Sequence, residues 1–346
     1  MYTKVAMNQP YIESSWTKPD ETFEVPLRPQ SLKDFKGQDN VRERLEVIIE
    51  AAKQRKESLG HCLFYGPPGL GKTTLANIIS KTMGTNLVVT SGPVLEKAGD
   101  LAGLLTNLKD GDILFIDEIH RLSRVIEEYL YPAMEDFALD LVIDSGPSAR
   151  SVQVKLNKFT LIGATTRMGL LSSPMRSRFP FSYRLDYYDS ATLKGIILRS
   201  SKILGLTLHN DGAEEIASRS RGTPRIANNL LRWVRDYAQI KNNTQADKKT
   251  VEKALEMLSI DNKGLDEMDK KILEVIIDHY RGGPVGISTI AVAIGEEADT
   301  LSDVYEPYLI MQGFLKRTPR GREVTEQAYE HLGRSLPAKF NSGESI

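Results

Sequence analysis

The segment Gly66-Pro67-Pro68-Gly69-Leu70-Gly71-Lys72-Thr73-Thr74 has the form of a phosphate-binding loop, a motif that works only between a buried strand and the start of a helix. Both flanks are present. Cys62-Leu63-Phe64-Tyr65 reads as a short buried strand, and Leu75-Ala76-Asn77-Ile78-Ile79 spaces apolar residues as a helix does. Glycines in the loop let successive backbone N–H groups turn inward, and the helix dipole adds positive potential at the same point. Lys72 brings a full charge for the β- and γ-phosphates, and the Thr73 hydroxyl is placed to ligate magnesium. This commits the chain to a nucleotide-binding α/β domain.

Further strands follow the loop at Asn86-Leu87-Val88-Val89-Thr90, Asp112-Ile113-Leu114-Phe115-Ile116 and Phe159-Thr160-Leu161-Ile162-Gly163-Ala164, alternating with helical patterns. The expected architecture is a parallel sheet with helices on both faces. Before the loop, Val41, Leu45, Ile48 and Ile49 mark an amphipathic helix, while the first 24 residues carry no periodicity and read as an arm, with order beginning near Val25. Two β-rich stretches, 139–144 and 151–156, flank Gly146-Pro147 and suggest a hairpin. The strand pattern stops after Asp189, and 191–260 reads as helical throughout. A polar turn at Asp261-Asn262-Lys263-Gly264 opens a last segment: a helix through Met268, Ile272 and Ile276, a shorter one at Ile287–Ile294, a third at Leu301–Met311, and a basic β-like tail at 313–324. Three helices and a basic hairpin describe a winged helix-turn-helix. The expected division is an arm at 1–26, a large α/β domain at 27–189, a small helical domain at 190–260 and a winged helix at 261–346.

Charge narrows the function classes. The formal net charge is −1, so nucleic acid can be bound only by a local basic patch. Cys62 is the single cysteine and lies in an apolar run, which excludes an intramolecular disulfide, argues against a cysteine-built metal site and fits a reducing cytoplasm. No stretch approaches the roughly 18 apolar residues of a membrane span, so a soluble, non-exported protein is expected.

Transfer of a phosphoryl group to water needs the triphosphate held, a metal ion, an oriented water and positive charge on the γ-phosphate. Asp117-Glu118 ends the third strand, so Asp117 is a candidate magnesium ligand and Glu118 a candidate base for the attacking water. Thr165 and Thr166 follow the next strand; either hydroxyl can sense the γ-phosphate or simply cap a turn. For His120 and Arg121 a surface or packing role competes with a catalytic one. Arg176 and Arg178 sit on a short helical pattern, as ordinary surface residues or as an arginine supplied to a neighbouring subunit's nucleotide. Arg225, after Gly222-Thr223-Pro224, can report nucleotide state from the small domain.

Together, the phosphate loop, Asp117-Glu118-Ile119-His120-Arg121-Leu122, Gly163-Ala164-Thr165-Thr166-Arg167 and Arg317-Thr318-Pro319-Arg320-Gly321-Arg322 resemble the AAA+ family of ring-forming ATPases, in its branch of bacterial motors that migrate Holliday junctions. Leu27-Arg28-Pro29, Asp34-Phe35 and Gly37-Gln38 fit that family's adenine-side entry, and the resemblance runs from Leu27 to Leu332. It implies an AAA+ P-loop domain, an all-helical lid and a C-terminal winged helix, with ATP and Mg2+ as cofactors. Gly69, Gly71, Lys72, Thr73 and Thr74 would hold the phosphates, Thr73 and Asp117 the magnesium, and Glu118 the water. Thr166 matches the first sensor, Arg178 the finger acting in trans (Arg176 the fallback) and Arg225 the second sensor. Leu27, Arg28 and Tyr188 would line the nucleotide pocket, with Glu135, Asp136 and Phe137 as further nucleotide contacts. The hairpin at 139–156 matches the element that docks a RuvA-like junction-binding protein, beside which a RuvC-like resolvase acts. Arg317, Arg320 and Arg322 would touch duplex phosphates without reading bases. The resemblance also implies a homo-hexameric ring. Two departures stand out: Ala298 where some relatives carry arginine, and Phe137 for a frequent tyrosine.

Three other classes compete. A nucleotide-switched initiator or clamp-loader-like protein also joins AAA+ modules to winged helices, but loads rather than translocates. A protein-threading ATPase uses an aromatic pore loop, and 91–101 has no aromatic residue. A winged-helix regulator needs a base-reading third helix, whereas Ser302, Asp303 and Glu306 make that face acidic.

Overall fold

The computed structural model describes residues 21–142, 151–241 and 245–337. They divide into two compact units, whose described parts are 21–196 and 197–337.

In the first unit, helices α1 (Glu21–Leu27) and α2 (Asp39–Arg55) precede strand β1 (Cys62–Tyr65), the phosphate loop and helix α3 (Lys72–Met83). Then come β2 (Leu87–Ser91), α4 (Ala98–Asn107), β3 (Ile113–Asp117), α5 (Arg124–Glu135), β4 (Ala138–Val142), β5 (Ser151–Lys155), β6 (Thr160–Thr165), α6 (Ser173–Ser177) and β7 (Phe181–Arg184). Helix α7 (Ser190–Ile203) carries the chain into the second unit. Five strands pair in parallel in the order β2-β3-β6-β1-β7. The edge strand β7 joins the four expected; Phe181, Tyr183 and Leu185 do alternate with polar residues, a period-two signal short enough to be hidden beside Pro180. A described helix also begins at Glu21, ahead of the expected start of order near Val25.

The sheet holds its position because both faces are covered. On one, Leu63, Leu114, Ile116 and Leu161 pack with Leu101, Leu105, Ile126 and Leu130 in a single buried cluster. On the other side of the strand alternation, Phe64 is fully buried and stacks on Tyr183 with ring centroids 5.7 Å apart. Each such Leu is worth about 1.5–3 kcal/mol of transfer free energy, so the strand ends that carry the chemistry are fixed by the core beneath them. β4 and β5 pair antiparallel as expected of the hairpin, and the expected Gly146-Pro147 turn lies outside the described residues.

His61 staples this core to helix α5. Its Nδ1 accepts from the Leu161 N–H at 2.8 Å, which leaves Nε2 to donate to the Met134 carbonyl at 3.0 Å. Burial holds its pKa below the ordinary histidine value. The unfolded chain therefore binds this proton more readily than the folded one, and the stabilisation is complete above the unfolded pKa of about 6.5 and drains away as pH falls below it. The thermal midpoint of the protein is expected to drop between about pH 7 and pH 5, and to drop less in a His61→Gln variant; parallel curves would remove His61 from the acid response.

In the second unit, β8 (Thr207–Leu208), α8 (Asn210–Ser218), α9 (Pro224–Ile240), β9 (Gln245–Ala246) and α10 (Lys248–Glu256) come first. The stretch expected to be all helix thus contains one short parallel strand pair. Next are α11 (Glu267–Tyr280), α12 (Ile287–Ile294), α13 (Ala298–Thr300), a π-helical turn at Leu301–Tyr305, α14 (Glu306–Met311), β10 (Leu315–Thr318), β11 (Gly321–Val324) and α15 (Glu326–His331). The third winged-helix helix is therefore broken in its winding at 301–305, although its apolar residues Leu301, Tyr305 and Leu309 all reach the core. The buried Arg221 guanidinium ties the segment before α9 to the start of α11: Nε donates to the Gly264 carbonyl at 2.8 Å, an amino group meets Asp269, and the ring of Tyr308 lies 4.8 Å beneath.

Candidate ATP-hydrolysis site

Strand order decides what surrounds the phosphate loop. β1 leads into the loop, β6 is its direct neighbour, and β3 lies one strand further, so the Thr165-Thr166 end stands between the loop and Asp117-Glu118. The carboxyl ends of parallel strands where the order reverses are where such sheets bind ligands. Gly66, at φ 136°, accepts this crowding: a Cβ there would sit 2.3 Å from the Leu185 carbonyl oxygen. Its N–H donates to the Thr165 carbonyl at 3.2 Å, joining the loop to the end of β6.

Helix α3 begins at Lys72, and its N-cap is Gly71, which has no side chain to accept from the first-turn amides. Those amides and the helix dipole suit an anion lying in the loop. Lys72 is buried, with Nζ donating to the Gly66 and Pro67 carbonyls at 2.7 and 2.8 Å. The ammonium is thus parked within the cradle, and the residues present fit a nucleotide phosphate chain.

Glu118 has φ 48° and ψ 43°, a left-handed conformation unusual for glutamate and of the kind stored at functional sites. Its Oε2 lies 3.4 Å from the Thr166 hydroxyl. Burial first, then the Asp117 carboxylate, push its pKa up; Lys72, the Thr166 hydroxyl and Arg121 pull the other way. Asp117 Oδ1 accepts the Glu118 N–H at 3.0 Å. Among the described residues no three His, Cys, Asp or Glu side chains gather to hold a metal by themselves. A magnesium site of one hydroxyl and one carboxylate, completed by phosphate and water, fits the donor set of Thr73 and Asp117.

Of the residues expected to line the nucleotide pocket, Tyr188 is buried and donates its hydroxyl to the Leu70 carbonyl at 3.2 Å, and burial raises its pKa. Gly37, at φ 75°, lies against it, where a Cβ would stand 2.5 Å from the ring. Gln38 brackets the end of β7, donating to the Asp186 carbonyl at 2.6 Å and accepting its N–H at 3.2 Å. Leu27 is buried, and Arg28 pairs with Glu24 at 3.2 Å.

Arg178 lies at the C-cap of α6, a helix of five residues, away from its own loop's acidic pair in sequence but tightly held. It donates to the Pro174 carbonyl at 2.8 Å, pairs with Glu135 at 3.1 Å and lies 4.2 Å over the Tyr131 ring. Asp136 caps α5. Phe137 is turned inward, its ring 5.8 Å from Phe159 and 6.4 Å from His61, so its geometry favours packing over the nucleotide contact expected of it. Arg225 occupies the first turn of α9, in the second unit.

Three family profiles match in tandem: the Holliday junction DNA helicase RuvB P-loop domain over residues 27–185, the RuvB AAA lid domain over 188–261 and the RuvB C-terminal winged helix domain over 262–333. The "Holliday junction branch migration complex subunit RuvB" of Protochlamydia amoebophila (strain UWE25) is 68% identical over 326 residues, 94% of this chain and 98% of the relative. The chain belongs to the RuvB family. The protein of the same description from Parabacteroides distasonis is 61% identical, covering 91% of this chain and 93% of its own. Among solved structures, the Thermotoga maritima RuvB Holliday junction branch migration motor superposes with a TM-score of 0.84 at 53% identity, covering 90% of this chain and all of that one. The parallel-sheet P-loop domain, helical lid and winged helix are those of this family.

The wing of this RuvB-family chain separates its arginines. Arg317 and Arg320 are exposed, as is Lys316, a cation that motif reading passed over. Arg322 differs from the phosphate contact expected of it: its Nε and an amino group each reach one oxygen of Glu306 at 2.9 Å, with the two side chains only 12% and 5% exposed. Glu306, expected on an acidic outer face, is the buried half of that pair. Removing one partner of a buried pair costs about 3–5 kcal/mol, so Arg322→Met should lower the melting temperature. Arg317→Ala and Arg320→Ala should leave it unchanged and instead each flatten the salt dependence of duplex binding by a log–log slope of about 1. A sequence-selective loss in the latter pair would contradict phosphate contact.

Proposed function

We propose that this chain is an ATP-driven DNA motor subunit that pumps duplex DNA to drive branch migration of Holliday junctions in recombination and repair. One observation carries the reading: in a chain of the RuvB family, Lys72, Asp117-Glu118 and Thr166 converge on one end of the sheet. Lys72 and the loop amides bind the triphosphate, Thr73 and Asp117 hold Mg2+, Glu118 accepts the proton of the attacking water, and Thr166 senses the γ-phosphate. Mg2+, when bound, neutralises charge on the phosphate oxygens. Thr74, Gly69 and Gly71 complete the cradle, and Leu27, Arg28 and Tyr188 the base pocket. Arg178 acts on the next subunit's nucleotide in a homo-hexameric ring, which also places Glu135 and Asp136 at the shared edge. Arg225 carries the nucleotide state into the lid.

The hairpin of β4 and β5 docks a RuvA-like junction-binding protein, and a RuvC-like resolvase works on the same junction. The winged helix holds duplex DNA through Arg317 and Arg320. The modules run 27–189, 190–260 and 261–346 behind an arm at 1–26, and the protein works in the cytoplasm. With a synthetic four-way junction and a RuvA-like partner, ATP turnover should rise well above the basal rate and the junction arms should move. An unchanged rate with stable DNA binding would favour the nucleotide-switched loader instead.

A further inference from the structure

His120 lies in the turn Ile119–Arg121 that follows the acidic pair, and its side chain is 6% exposed. Its Nδ1 is 2.8 Å from the Thr165 hydroxyl oxygen, and its Nε2 is 3.5 Å from Oε2 of Glu118. That same carboxylate oxygen is 3.4 Å from the Thr166 hydroxyl. Four side chains from the ends of the paired strands β3 and β6 form one chain: Thr165, His120, Glu118, Thr166.

The proton positions in this chain follow from charge. A neutral imidazole donates from one nitrogen and accepts at the other. A lone pair on Nε2 would face the carboxylate oxygen and repel it, whereas an N–H there is attracted. In the neutral ring Nε2 therefore carries the proton, and Nδ1 accepts from the Thr165 hydroxyl. Thr165 is fully buried, and its oxygen already accepts the Arg167 N–H at 3.0 Å. Its one hydrogen is committed to the imidazole, so it has none to offer a phosphate. The partly exposed Thr166 donates only across a long 3.4 Å contact to Glu118 and can turn that hydrogen to a phosphate, which separates two hydroxyls that the motif alone leaves equivalent.

We infer that His120 is a positioning residue, which fixes the aim of the Glu118 carboxylate by tying it to the Thr165 end of the sensor strand. It touches no substrate and acts through Glu118, and the inference rests on the ATPase reading above. A histidine that merely filled space would affect stability and nucleotide affinity, not turnover alone.

The test uses the full-length chain with junction DNA. His120→Ala should lower kcat about 10–100-fold, the scale of a small misplacement at a reacting centre, with the KM for ATP and the affinity for ADP within about twofold. His120→Gln, whose amide N–H can face Glu118, should recover most of the rate, and Thr165→Val, which frees the ring without removing it, should reproduce the loss. In a Glu118→Gln background, His120→Ala should add nothing further. The inference is overturned by wild-type turnover in both His120→Ala and Thr165→Val. It is equally overturned by a loss that adds to Glu118→Gln, or by one matched by weaker ADP binding and a lower melting temperature. Normal turnover in Glu118→Gln and Lys72→Ala would instead sink the ATPase reading beneath it.

Discussion

Glu118→Gln is expected to lower ATP turnover by about 10²–10⁴-fold, the usual contribution of a positioned general base. Glutamine keeps the size of the side chain and an oxygen to accept from the Thr166 hydroxyl, now 3.4 Å away, but it cannot take a proton from water. Nothing that holds the triphosphate is altered, because Lys72 and the α3 amides belong to the loop. A fluorescent ATP analogue should therefore bind within about twofold of wild type, since only transition-state stabilisation is removed. Lost binding would mean that Glu118 shapes the pocket, and retained turnover would move the base elsewhere. The backbone at Glu118 is left-handed, and a glutamine tolerates that conformation no worse than glutamate does.

Arg178→Ala should slow hydrolysis by about 10³–10⁵-fold, the range for an arginine that neutralises transition-state charge. Glu135 is 55% exposed, so the ion pair itself contributes at most about 1 kcal/mol to stability, far less than the expected loss of rate. The Pro174 carbonyl, Glu135 and the Tyr131 ring hold the guanidinium from three directions, so it is presented with few rotamers left to lose. The decisive measurement mixes Arg178→Ala subunits with Lys72→Ala subunits. The first carry intact loops and the second intact fingers, so activity should return in mixed assemblies that neither variant shows alone. No recovery would place Arg178 in its own subunit's site or reduce it to a structural residue.

The parts of this fold that could be read from sequence are those whose signals are local. A strand, a glycine turn and a helix start lie within a few residues of one another at 62–79, so the phosphate cradle declares itself. β7 was hidden because four residues beside a proline carry too little period to count. The continuous third helix of the winged domain was expected because Leu301, Tyr305 and Leu309 keep an apolar face, which a π-helical turn at 301–305 preserves while changing the winding. The arginines of the wing looked equivalent because a basic motif does not reveal which cation finds an internal partner.

That division has one physical cause. Short runs along the chain set the chemistry available: an anion cradle at Gly66 to Thr74, a carboxylate pair after a buried strand, hydroxyls after another and a basic wing. The tertiary structure decided who meets whom, since sheet order and core packing join groups remote in the chain. Thr165 and His120 are 45 residues apart and share a hydrogen bond; Arg322 and Glu306 are 16 apart and neutralise each other. Pairings of this kind depend on which strands the hydrophobic core aligns, a property of the whole unit that no short motif contains.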